Sequence, residues 1–153
     1  MKGRWIVITA VATFAVFFVT IVPDAFGVSA FDDLAAGVAL GLFLASVPIW
    51  LVAFGIAVVR SARGDDVSVG SLFLLNRSAP GDVRRWMIGV LIASVVVAAA
   101  TASANPFSVL EPVLPLALMG LWNARYGVFP ARDLAAEARA KVTRPRTQPG
   151  GAR

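Results

Sequence analysis

Long apolar runs separated by short polar clusters set the pattern of this chain. The runs 5–22, 34–59, 86–104 and 107–124 approach or exceed the roughly 18–20 residues that an α-helix needs to cross a hydrocarbon core. They carry no alternation of period two and are apolar on every side, which in a helix means lipid or protein all round. The pattern predicts an all-α, polytopic membrane protein with four transmembrane helices. Residues 1–129 form the bundle, and residues 130–153 form a basic tail.

Charge then fixes a threading. Lys2 and Arg4 precede the first run, and Arg60, Arg63, Arg77, Arg84 and Arg85 lie between the second and third. Every other basic residue follows the fourth, from Arg125 onward. The two remaining connections hold Asp24, Asp32, Asp33 and Glu111 and no Lys or Arg. Because basic loops stay cytoplasmic, both termini and the central loop are predicted inside the plasma membrane, with the acidic connections outside. Trp5, Trp86 and Trp122 fall at predicted inner helix ends, where indoles seat among headgroups, and Arg125 anchors the last of these ends. Trp50 lies deeper and is expected to be packed. A competing reading treats the N-terminus as a cleavable signal, since the first run is followed by the small-residue pattern "VSA" at 28–30. Its apolar part is long for a signal core, and the mature mass decides between the two.

Within the spans, small residues recur at helical spacing. Gly37, Gly41, Ala45, Pro48 and Gly55 occupy an arc of about 80° on the second helix. Gly89, Ala93 and Ala100 give the third a similar face. Small residues let helix backbones approach in lipid, so these two faces are expected to pack, either within one bundle or between copies. Pro48 removes a backbone donor in mid-span, and a kink is expected there. The fourth run contains Glu111, Pro112 and Pro115. Asn105 and Pro106 suit a helix start, as does the Ser108–Glu111 capping pattern. A start at Pro112 would put both prolines in the first turn but leave only about 20 Å of apolar helix before Arg125, short for a span. The expected start is therefore near 106–108 with a bend at Pro112 and Pro115, which places Glu111 at the outer boundary, capping the helix or facing headgroups.

The central loop, 60–85, holds the apolar septet "VGSLFLL" at 69–75, too short to cross; of lying in the interface, dipping partway in or packing beneath the bundle, the interfacial placement is the one expected. Asp82 is placed to cap the third helix. Asn76 heads a formal glycosylation sequon, "NRS", which the threading puts in the cytoplasm. The tail begins with a segment able to form a short helix, with Glu137 and Lys141 four residues apart, and then turns basic and Pro-rich. Anionic inner-leaflet lipid is the expected partner of loop and tail, alongside a membrane-protein partner or a second copy.

Composition narrows the chemistry. Of 153 residues, 58% are hydrophobic, none is Cys or His, and the net charge is +5. Thiol nucleophiles, Cys/His zinc sites and axial haem histidines are thereby excluded. The basic residues flank membrane segments, which argues for lipid and against nucleic acid. Asp65 and Asp66 are adjacent carboxylates without further ligands at useful spacing. No catalytic constellation, metal-ligand set or cofactor motif is present.

At "RSAPGDVRRW" (77–86) and "GLWNARYGVFPAR" (120–132) the chain resembles small four-helix integral membrane proteins of actinobacteria that have no assigned activity. That resemblance implies a cellular context and no mechanism. Three function classes follow. A scaffold or accessory subunit of a membrane complex needs only packed helices and a basic tail. A small transporter or channel normally carries ionisable groups facing a cavity near mid-membrane, and none stands there. A lipid-modifying enzyme would have to work with Asp65, Asp66 and the loop arginines, without an imidazole. Whether the chain is an enzyme stays open, with a non-enzymatic role favoured.

Overall fold

The computed structural model describes residues 2–75 and 78–131. The tail beyond 131, with its expected short helix, and Asn76 and Arg77 of the sequon loop lie outside the described residues. In chain order the elements are α1 (Arg4–Ala25), a 3-10 turn at Ser29–Phe31, α2 (Asp32–Ala62), α3 (Val69–Leu74) and α4 (Gly81–Thr101). A second 3-10 turn at Pro106–Leu110 and α5 (Val113–Tyr126) complete the fold. The described residues contain no strand, and one isolated bridge joins Asp65 to Ala131. All four expected spans are present as helices long and apolar enough to cross a membrane, the fourth counted from Pro106–Tyr126.

Local chemistry sets the ends of these helices. α1 runs through Pro23 and stops at Gly27, whose φ of 80° suits a residue without Cβ; its N–H donates to Asp24 O at 2.9 Å. α2 continues through Pro48 as helix and reaches 31 residues, about 46 Å at 1.5 Å per residue, well beyond a roughly 30 Å hydrocarbon core. Several span hydroxyls bond back along their own helices: Thr13 to Thr9 O at 2.9 Å, Ser46 to Phe43 O at 2.5 Å and Thr101 to Val97 O at 2.8 Å. α4 opens at Gly81, about one and a half turns earlier than the apolar run that begins at Trp86. Asp82 therefore sits inside the first turn, where it complements the helix dipole without capping.

The bundle is organised around α5. Its residues from Leu114 to Ala124 are buried apart from the half-buried Leu116, and α1, α2, α3 and α4 all pack against it. α2 takes α5, not α4, as its principal partner, while α4 packs on α1. The face that α2 turns inward is Ala35, Ala39, Ser46, Ala53 and Ala57. This corrects the expected pairing of α2 with α4 through their glycine faces. Alanine serves the close approach as well as glycine does and adds a methyl contact.

The septet at 69–75 also differs from its expected interfacial placement. Ser68 and Ser71 form a capping box that starts α3, with Ser71 N donating to Ser68 Oγ at 3.1 Å. Leu72, Phe73 and Leu75 are buried against the bundle, whereas Val69 and Leu74 stay exposed. The Phe73 ring stacks on Trp50 at 4.3 Å between centroids and occupies the notch left by Gly120. α3 is thus a wedge held by α2 and α5. Leu75, which ends it, adopts φ 52° and is fully buried, so burial offsets the roughly 1–2 kcal/mol cost of a left-handed leucine.

Candidate functional site

Polar side chains inside the bundle collect at two levels, both beside α5. At the acidic end the turn at Pro106–Leu110 folds between α2 and α4. Asn105 Oδ1 accepts from Phe107 N at 3.1 Å and starts this turn, and its Nδ2 donates to Asp24 Oδ2 at 3.0 Å across to α1. Ser108 does not cap a helix; its hydroxyl donates to Ala98 O on α4 at 3.0 Å. α5 then begins at Val113, with Pro112 at the N-cap position and Pro115 in the first turn. Both prolines fall where helix donors have no intrahelical acceptor, so neither loses a hydrogen bond. The fourth span is therefore broken into a turn and a helix where a bent helix was expected.

Glu111 lies at that break and is fully buried. The expectation that it faces headgroups is not what the structure shows, because the 3-10 turn rotates the side chain inward. Its two carboxyl oxygens and the Ser94 hydroxyl make no hydrogen bond among the described residues, although Ser94 of α4 stands close to the carboxyl. A buried ionisable group without a partner costs several kcal/mol, and inside a membrane bundle it is a marker of function.

At the basic end Arg60 ties the last turn of α2 to the end of α5. Its Nη1 donates to Ala124 O at 3.1 Å and Gly127 O at 2.9 Å, its Nε pairs with Asp65 at 2.7 Å, and its guanidinium lies 4.6 Å from the Phe129 ring centre. Those carbonyls are the ones a helix leaves unbonded at its C-terminus, where a cation also meets the negative end of the dipole. The fork geometry of arginine suits two acceptors at once. Asp66 N donates to Pro130 O at 2.8 Å and extends the same junction. Asn123 is fully buried and its amide donates to the carbonyls of Ser71 and Leu72, at 3.2 Å for the latter, fastening α3. Trp122 Nε1 donates to Lys2 O at 3.2 Å.

The residues singled out by pattern are distributed as follows. Gly37, Gly41, Ala45, Pro48 and Gly55 share the exposed side of α2, and Gly89 and Ala100 are exposed on α4, with Ala93 half-buried. A Cβ built on Gly37, Gly41, Gly55 or Gly89 would meet nothing within 4 Å. Trp5 and Trp86 are 50% and 58% exposed, while Trp122 is buried in the bundle. Pro115 is buried and Pro112 half-buried. Arg125 is exposed, with its guanidinium 5.7 Å from the Tyr126 ring centre.

Asn105 starts the Pro106–Leu110 turn as the sequence suggested, whereas its bond to Asp24 and the contacts of Arg60 and Asn123 escaped the pattern reading. The signal for them was present: a polar residue in or beside an apolar span faces protein more readily than lipid. Among the described residues no three His, Cys, Asp or Glu side chains gather at a metal-binding distance, and Asp65 is engaged by Arg60. No known family model matches the chain, and no curated protein or solved structure matches it.

Proposed function

We propose that the chain is a four-span protein of the plasma membrane, with its basic end in the cytoplasm, that serves as a scaffold or accessory subunit of a membrane complex. The outward face of α2 carries this reading. Only 17% of the apolar window of that span is buried, and its glycines have open space beside them. A glycine facing acyl chains contributes nothing to packing, whereas the same glycine against another helix permits backbone contact. The supporting charge pattern is the segregation of Lys and Arg to one end of the helices and of Asp24, Asp32 and Asp33 to the other.

The reading predicts a discrete complex when the full-length tagged chain is isolated in mild detergent. Gly41→Leu should lower recovery of the associated membrane protein about tenfold, the effect of losing roughly 1.4 kcal/mol of contact, while leaving the helical content unchanged. A clean monomer for the unaltered chain, by mass and by cross-linking, removes the proposal.

Glu111 favours a second reading, a small transporter or channel-like protein, because intramembrane carboxyls commonly serve ion pathways. Glu111→Gln distinguishes the two. It should abolish ion or proton flux in proteoliposomes under the transport reading and leave complex recovery intact under the first.

A further inference from the structure

Helices α1 and α4 leave a groove whose walls contain no residue of α2. Two adjoining open cavities, of about 550 and 460 Å³, share Val11 and Trp86 in their walls. The composition of the groove is graded. Arg4 and Arg85 stand with Trp86 at the end where both helices begin, and beyond them Ala12, Ala15, Gly89 and Ala93 keep the lining shallow and apolar.

Three features at the mouth suit an anion. Neither arginine is ion-paired among the described residues, whose one such pair is Arg60 with Asp65; Asp82, on the first turn of α4, approaches neither within that range. α1 and α4 both start at this end, and neither N-terminus has a side-chain cap. The positive ends of two helix dipoles therefore lie at the same end as the arginines, although the first turn of α4 itself lines a different cavity, with Pro80 and Asp82. Trp86 is 58% exposed and supplies a flat amphipathic surface of the kind found at glycerol and ester depth.

Length identifies the rest of the occupant. From Arg4 to Ala15 the helix rises about 16 Å, close to the roughly 15 Å hydrocarbon depth of a single leaflet. A soluble anion would leave this apolar length empty, and an apolar helix would leave the arginines without a partner. We propose that the α1/α4 groove seats one anionic phospholipid of the leaflet at the basic end. Its phosphate lies between Arg4 and Arg85, its glycerol lies against Trp86, and one acyl chain follows the small-residue lining. This site is separate from the α2 face used in the proposed assembly.

The test uses the full-length protein in mild detergent, titrated with phosphatidylglycerol or phosphatidylcholine and read by native mass spectrometry. One phosphatidylglycerol per chain should be retained in preference to phosphatidylcholine. Arg4→Gln with Arg85→Gln should weaken retention about tenfold, as expected for losing charge-assisted contacts to phosphate. Gly89→Leu fills the groove with both arginines intact and should lower retention of the same lipid. A Cβ there meets nothing within 4 Å, so the bundle tolerates the change, which keeps the test valid if the arginine variant misfolds. Equal retention of the two lipids, or an equal loss in Arg63→Gln with Arg125→Gln, would mean diffuse attraction to the basic end and overturn the proposal. Displacement by inorganic phosphate, or no effect of Gly89→Leu, would overturn it as well.

Discussion

Helix α2 has a mean hydropathy of 2.5 over its most apolar window and buries 17% of it, whereas the fourth span, with 1.3, buries 67%. In water the order would be reversed, since apolar surface is driven inside. In lipid there is no such drive between helices, and hydropathy reports contact with acyl chains. The fourth span can carry Glu111, three prolines and Asn123 because other helices surround it. α2 has almost nothing polar between Asp33 and Arg60 because most of its surface meets lipid. The least apolar span is the structural centre, and the most apolar ones enclose it.

The contrast can be broken by substitution. The largest effect is expected at Gly120, where a Cβ would collide with the Phe73 ring. Gly120→Leu should cost about 3 kcal/mol, the upper range for overpacking, read as a lowered unfolding midpoint in detergent. Phe73→Ala in the same chain should recover part of the loss, since the two sites share one contact. An unchanged midpoint for Gly120→Leu would remove α5 from the centre. Next comes Arg60→Met, which leaves the Ala124 and Gly127 carbonyls without their donor. With Arg60 partly exposed, about 2 kcal/mol is expected, and Arg60→Lys should restore little because a single ammonium cannot reproduce the fork. Recovery of the full midpoint by lysine would reduce the junction to simple charge. The smallest effect belongs to α2: Gly37→Leu should change bundle stability by less than about 0.5 kcal/mol, the usual range for surface sites away from special features. A drop comparable with that of Gly120→Leu would show that the glycine face is used inside the bundle.

Much of the architecture was legible because membrane crossing constrains composition strongly. The four spans, and the gathering of Lys and Arg at one end, follow from counting residues against a bilayer thickness. The orientation of each helix about its axis was not legible. Gly37, Gly41, Ala45 and Gly55 and the buried Ala35, Ala39, Ala53 and Ala57 are both small-residue stripes on α2, and nothing local distinguishes the side that meets protein. The inward turn of Glu111 was hidden for a related reason. Pro112 and Pro115 allow a helix to start on either side of them, and the choice depends on Ser108 reaching Ala98 O and Asn105 reaching Asp24, contacts made by other helices. α3 shows the same limit, since an apolar septet suits a membrane surface until Gly120 and Asn123 provide a place for it.

The central position of α5 also sets an order of assembly, for it is the last of the four spans in chain order. While the chain is being made, α1, α2 and α4 enter the bilayer before the helix they will surround. The faces they keep for it and its leading turn, Ala53 and Ala57 on α2 and Ala98 on α4, are small and lose little by meeting lipid in the interval. Glu111 and Asn123 have no such tolerance. Their burial makes the entry of the final segment and the closure of the bundle a single late event, one that depends on three neighbours already being in place.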